Sequence, residues 1–221
     1  MRKGGILKTK DNTFNLKNII KEDIYIMREN VCMKQQDAET IAVKMQTGDT
    51  SGVHMTGQIT DRIYKNGVLV EERVGHNLVV NSFVNLVMCL LKQDSNYSGV
   101  QYWAIGSGDT AWDDVEIVPS PNIEATRLTA ELGRVAISPD NLVFLDSNYE
   151  ESATPTNILQ ISHTFGTDDC NGAWREFGIF GGNATEEANS GILINKRHHA
   201  LITKTEEMTI ERVMRFTLSL V

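Results

Sequence analysis

The chain has 221 residues, with 21 Lys or Arg against 29 Asp or Glu, which gives a formal charge of −8. Hydrophobic residues make up 41% and charged residues 23%, as in a globular chain of one domain, or of one domain with an appendage. The acidic balance argues against nucleic-acid binding and against binding to a membrane surface, because both need a basic face. No apolar run reaches the roughly 20 residues of a membrane span, so no membrane insertion is expected.

The cysteines and the N-terminus indicate a reducing compartment. Cys32, Cys89 and Cys170 are widely separated, odd in number and in no Cys-x-x-Cys pattern, so we predict free thiols. The first residues are basic but are not followed by an apolar segment, so no signal peptide is expected.

Residues 1–55 are predicted to form an N-terminal helical or extended arm. Apolar residues recur at alternating steps of four and three, at Ile20, Ile24, Met27, Val31, Ala38, Ile41 and Met45. The spacing fits one amphipathic helix docked on the domain, a short oligomeric helix bundle, or strands around residues 24–26. An apolar stripe that the domain's own core does not need should be buried by other chains. We therefore predict an attachment or oligomerisation arm whose interface residues are Ile20, Ile24, Met27 and Val31.

Residues 56–221 carry the pattern of an antiparallel β protein. Two apolar runs, 59–64 and 68–74, flank Asn66-Gly67, a pair that tolerates positive φ and therefore predicts a hairpin. Further strands are predicted at 101–105, 128–138, 142–146, 158–165, 175–180, 201–205 and 208–220. The last run alternates apolar and polar residues, as in a long half-buried strand. Many short strands with few helices predict a mainly β fold, an antiparallel, jelly-roll-like sandwich.

One helix is predicted inside this domain, over residues 78–91. Apolar residues surround it almost completely, so we expect it to be largely buried. Phe83, Val87 and Leu91 are its predicted contacts with the sheets.

The sequence contains no recognisable catalytic or nucleotide-binding motif. Residues 106–111 match Gly-x-Gly-x-x-Ala after a predicted strand, but an acidic segment with two prolines follows in place of the helix that the fingerprint requires. Neither a nucleophile elbow nor a phosphate-binding loop is present. We expect a protein that is not an enzyme and binds no cofactor.

Histidines and acidic pairs give no clear metal site. A metal held by His163, Cys170 and His199 would need ligands from distant strands, and their spacing does not indicate one. The pairs Asp113-Asp114 and Asp168-Asp169 are typical of solvated loop charge, although glycosidase carboxylates need not form a motif, so a hydrolase stays open.

Residues 109–121 are predicted as a long acidic loop. Trp112, Asp113 and Asp114 on this loop are the candidate contacts for a receptor or partner. Together with Trp103 and Trp174, Trp112 offers an aromatic stacking face for a lectin-like function, although each tryptophan equally suits a core or an interface.

Several segments, in this order, resemble bacteriophage tail-fibre and baseplate-associated proteins. Residues 63–73 and 75–81 resemble a hairpin that leads through a His-Asn-Leu turn into an apolar helix. Residues 104–111 and 125–134 resemble the strand, Gly-x-Gly turn, acidic loop and Leu-x-x-Glu-x-x-Arg run of those proteins. Residues 175–180 and 202–204 and the long last strand complete the likeness, which covers about residues 59–221. The 109–124 loop is longer than in related sequences, which leaves its function open.

The resemblance implies a non-enzymatic structural component of a phage tail or tail-like particle, located in the virion and assembled in the host bacterial cytoplasm. It also implies a homotrimer, because such appendages are commonly trimers, with neighbouring tail or baseplate proteins and a host surface glycan or receptor as partners. The alternative is a tail-borne module that binds or degrades glycans.

Overall fold

The computed structural model describes residues 45–46 and 52–220, with the backbone alone for the first pair. The arm interface residues Ile20, Ile24, Met27 and Val31 lie outside the described residues, as does Cys32. Met45, which continues the seven-residue apolar spacing of the arm, lies in a two-residue strand.

The described residues form twelve strands and one α-helix, with 3-10 turns at Thr110–Asp114 and Pro139–Asn141. In chain order the elements are β1 Met45–Gln46, β2 Gly52–Lys65, β3 Val68–His76, β4 Leu78–Val79, α1 Ser82–Leu91, β5 Ser98–Gly106, β6 Glu131–Ala136, β7 Leu142–Leu145, β8 Glu151–Ser152, β9 Ile158–Phe165, β10 Gly172–Gly182, β11 Ile192–Lys204 and β12 Met208–Leu220.

The strands form two antiparallel sheets, which confirms the predicted mainly β sandwich. The seven-stranded sheet has the order β1-β2-β12-β9-β7-β8, with β3 also paired to β2, and the five-stranded sheet has the order β4-β11-β10-β5-β6. Both sheets contribute to one core, in which Ile59, Ile161 and Met214 meet Trp103 and Phe177. Strand β12 is central to the larger sheet, since it pairs with β2 on one side and with β9 on the other.

The predicted hairpin at Asn66-Gly67 is confirmed. Strands β2 and β3 flank these two residues, whose φ angles are 49° and 77°. Both angles are positive, as a type I′ turn requires, so the two-residue loop follows the twist of its strands.

The prediction of a buried helix over 78–91 is wrong in its start and in its burial. Leu78 and Val79 form β4 and pair with β11, and the helix begins only at Ser82. The buried positions 78–80 therefore belong to the strand and its turn. Within α1 only Leu86 is buried, while Leu91, a predicted packing contact, is 71% exposed. A helix that packs at the edge of a sandwich buries only the side that faces the sheets, even when its other sides are also apolar.

A long segment between β5 and β6, residues 107–130, covers the outer face of the five-stranded sheet. We call it the covering loop. Leu128 of this loop packs with Ala104, Phe180 and Leu193 of the sheet in a second apolar cluster. The five-stranded sheet is therefore buried on both sides, which explains why its strands lack the alternation that identified β12.

Candidate interaction surfaces

The predicted site residue Asp113 is engaged in the fold. Its carboxylate accepts two hydrogen bonds from the Arg175 guanidinium, with Nε–Oδ1 at 2.9 Å and Nη2–Oδ2 at 2.6 Å. Nη1 of Arg175 also donates to the carbonyl oxygen of Ser107 at 3.0 Å. The hydrogen bonds from Arg175 favour the ionised carboxylate and so lower the pKa of Asp113. Asp113 therefore connects the covering loop to β10, and its side chain stays 33% exposed.

The other two predicted loop residues differ from each other. Trp112 is half-buried and stacks on His198, with ring centroids 4.0 Å apart. Nδ1 of His198 forms a hydrogen bond with the carbonyl oxygen of Pro119 at 2.8 Å. This bond connects the part of the covering loop around Pro119 to β11. Asp114 is exposed. Trp112 and Asp113 therefore have partners within the fold, although Asp113 is also exposed, and Asp114 is exposed. A contact of these three residues with a receptor or partner stays a prediction.

A buried ion pair lies beneath the covering loop. Glu176 on β10 and Lys196 on β11 approach to 2.9 Å, and their side chains are 0% and 6% exposed. The backbone N–H of Ala130 donates to Glu176 at 2.8 Å, and Lys196 donates to the Thr129 hydroxyl at 3.0 Å. Burial alone would raise the pKa of Glu176, but the amides of Ala130 and Thr129 and the Lys196 ammonium outweigh it and lower the pKa. Local sequence patterns give no signal for this pair, because its two members lie on different strands.

A second buried ion pair lies between the sheets. Arg212 is fully buried, and its Nε and Nη2 donate to the two oxygens of Asp61 at 2.6 and 2.8 Å. Its Cζ lies 4.2 Å from the centroid of the Phe177 ring. Burial would raise the pKa of Asp61, but the neighbouring guanidinium outweighs burial and lowers it. An arginine on the apolar face of an alternating strand was the available sequence signal for this contact.

The lectin-like interpretation fails for two of its three tryptophans. Trp103 and Trp174 are fully buried in the core. Neither can present a face to a sugar, so that prediction is wrong for both.

Among the described residues, no group of three His, Cys, Asp or Glu side chains is placed to hold a metal ion. Cys89 and Cys170 are free thiols, as predicted. Burial raises the pKa of the Cys170 thiol to about 11, so little of it is the reactive thiolate at neutral pH. In the part of the chain that the structure describes, no helix has the length and apolar character to cross a membrane.

An apolar groove opens at the end of the sandwich where β2 begins and β12 ends. It has a volume of about 410 Å³, and its lining includes Met55, Phe83, Leu90, Val100, Leu159 and Leu218. Two of its lining residues, Leu90 and Leu218, are 42% and 46% exposed. Exposed apolar side chains clustered in this way are typical of a surface that another chain covers.

Comparison with known proteins does not assign the chain to a family. No family model, curated protein or solved structure matches it. The function is therefore inferred from the residues of this chain.

Proposed function

We propose that the chain is a non-enzymatic structural component of a phage tail or tail-like particle. The arm, predicted over residues 1–55, ends before β2, which begins at Gly52, and it attaches the chain to neighbouring tail or baseplate proteins. The sandwich presents surfaces for subunit or receptor contacts. In this proposal the protein works in the virion as a homo-oligomer, for which the resemblance to tail proteins favours a trimer.

The apolar groove is the observation that carries the proposal. The lining residues belong to both sheets and to α1, so several elements of the sandwich form the groove together, and it does not depend on the position of one side chain. Leu90 of α1 and Leu218 of β12, both in the lining, leave apolar area in water at this end. Covering these side chains with a neighbouring subunit would stabilise the assembly by a free energy of about 25 cal/mol for each Å² of apolar surface removed from water.

The buried carboxylates favour a structural over a catalytic role. Asp61 and Glu176 are each paired with a cation, and the pKa of each lies below its ordinary value. A general acid needs a carboxyl group whose pKa is raised towards neutrality. The two groups are therefore suited to hold the sheets and the covering loop together.

A charge placed in the groove tests the assembly role. Leu90→Glu combined with Leu218→Glu should leave a folded sandwich but abolish association, because carboxylates would be buried in an apolar contact. Val70→Glu is the matched control, since Val70 is also exposed but lies on β3, outside the groove lining. Light scattering after size exclusion measures association, and co-sedimentation with particles measures incorporation. Normal incorporation of the double variant would contradict the proposal.

Deletion of residues 1–46 tests the attachment role. The shortened chain should retain the β-sheet circular dichroism of the sandwich and should no longer join particles. Normal incorporation would refute attachment through the arm. Loss of folding would show instead that the arm belongs to the core of the domain.

A further inference from the structure

A row of polar side chains crosses the outer face of the seven-stranded sheet. Arg215 on β12 pairs in register with Gln58 of β2 on one side and with Gln160 of β9 on the other. The preceding residue, Met214, pairs with Ile59 and Ile161 in the core. Because side chains alternate along a strand, the row around Arg215 faces outward.

Arg215 differs from the other arginine on this face. Arg62 is neutralised by Glu72 at 2.8 Å and by Glu211 at 3.5 Å. Among the described residues, the partners of Arg215 are neutral: Nε donates to the Gln160 amide oxygen at 2.9 Å, and its Cζ lies 5.0 Å from the centroid of an aromatic ring. The guanidinium is thus fixed in place, and its charge is not compensated by a carboxylate there.

The aromatic ring belongs to Tyr149, in the turn between β7 and β8. Tyr149 has a φ of 64°, which is strained for a residue other than glycine, and it is 55% exposed. The side chain of Asp146 supports the turn by accepting hydrogen bonds from the N–H groups of Asn148 and Glu150, at 2.8 and 3.0 Å. Strain that the surroundings maintain is typical of ligand-binding positions.

A shallow trough lies beside the arginine. It has a volume of about 220 Å³ and is lined by Gln58, Thr60, Arg62, Gln160, Val213 and Arg215. Sites for drug-sized ligands have roughly 300–1,000 Å³, so this trough suits a ligand with the size of one sugar ring.

We propose that this face binds a saccharide that carries a carboxylate. The terminal nitrogens of Arg215 suit the two oxygens of a carboxylate, while Gln58 and Thr60 offer an amide and a hydroxyl group for sugar hydroxyls. The exposed side of the Tyr149 ring can pack on the C–H face of the sugar. The chain's charge of −8 disfavours indiscriminate attraction of anions, so binding must depend on these local contacts. The proposed saccharide site does not depend on the proposed assembly role, so an experiment can contradict one of the two proposals without contradicting the other.

Calorimetric titration of the full chain with trigalacturonic acid and with 3′-sialyllactose tests the site, with lactose as the neutral control. At least one acidic probe should bind, and lactose should bind about tenfold more weakly or not at all. Arg215→Gln should weaken the acidic probe about tenfold. Arg127→Gln removes the same charge from the covering loop, on the opposite side of the sandwich, and should leave binding unchanged. Failure of both acidic probes, unchanged binding by the Arg215 variant, or equal loss in the two variants would overturn the proposal.

Tyr149→Asn separates binding from folding. Asparagine accepts positive φ more readily than tyrosine, so the melting temperature should stay the same or rise while the affinity falls several-fold. Tyr149→Phe keeps the ring and should keep the affinity. An asparagine variant that binds as tightly as the original chain would contradict a role for the ring.

Discussion

The two sheets of the sandwich differ in what lies on their outer faces. The five-stranded sheet is covered by residues 107–130, which bury Glu176, Lys196 and Phe180. The seven-stranded sheet has no comparable cover among the described residues, and its outer side carries polar side chains such as Thr60 and Arg215. Charged groups on the first face, such as Glu176 and Lys196, are paired with each other, whereas Arg215 on the second face has no carboxylate partner within residues 52–220. Contacts with partners are therefore expected on the second face and at the groove.

The largest expected effect is on the covered face. Lys196→Met leaves the Glu176 carboxylate buried beside an apolar side chain, and the free energy of unfolding should fall by about 3 kcal/mol at pH 7. Urea unfolding measures the loss. The double variant with Glu176→Gln should recover part of it, because no charge then remains unpaired. A single variant as stable as the original chain would mean that the pair is not buried in solution.

The next effect concerns His199, which lies between the sheets and on neither outer face. Burial, reinforced by the Arg212 charge, lowers the pKa of His199 to about 3, against about 6.5 in an unfolded chain. Between these values the unfolded chain binds a proton that the folded chain excludes. The free energy of unfolding should therefore fall by about 1.4 kcal/mol per pH unit as the pH drops below 6.5.

Urea unfolding of His199→Gln between pH 7 and pH 4.5 isolates this contribution. The variant should show a shallower pH dependence than the original chain. His76→Gln is the matched control, since it removes an exposed imidazole from the open face. Parallel pH profiles for the original chain and the His199 variant would show that His199 accepts its proton in the folded state.

A smaller and local effect is expected at the edge of the covering loop. Asp113→Ala removes the carboxylate that Arg175 holds and should let the loop open more often without unfolding the sheets. Trypsin should then cleave after Arg127 several-fold faster, while the melting temperature changes little. Asp114→Ala removes the neighbouring exposed carboxylate and should not alter cleavage. Equal cleavage of both variants and the original chain would show that Asp113 does not fasten the loop.

The smallest effect is expected on the open face. Thr60→Ala should change the free energy of unfolding by no more than about 0.5 kcal/mol, because a half-exposed hydroxyl on a solvated strand has few contacts to lose. The same urea experiment measures it. A loss above about 1 kcal/mol would mean that this face is covered in the folded chain.

Local patterns predicted the parts of the fold that depend on neighbouring residues. The predicted bounds 158–165 and 208–220 are those of β9 and β12, and Asn66-Gly67 is the hairpin tip. In these places the side-chain alternation or the turn chemistry is contained in a few consecutive residues.

Features that depend on distant partners were not predictable in this way. The first part of β11 contains the polar run 195–199, which resembles a loop, but Lys196 is buried because it meets Glu176 under the covering loop. The row of Gln58, Gln160 and Arg215 exists only through the register of three strands that are far apart in the chain. For the candidate site, the sequence therefore identified residues of the covering loop and could not identify the sheet face.

The central position of β12 has a consequence for how the protein is made. Eleven of the strands that the structure describes leave the ribosome before β12, which joins β2 to β9, and Arg212 must pair with Asp61 at a separation of 151 residues. Pairing over such a distance is slow, and until it occurs β2 and β9 present unpaired edges to other nascent chains. Synthesis is therefore the stage at which this chain is most exposed to aggregation, and help from a chaperone would have its greatest effect there.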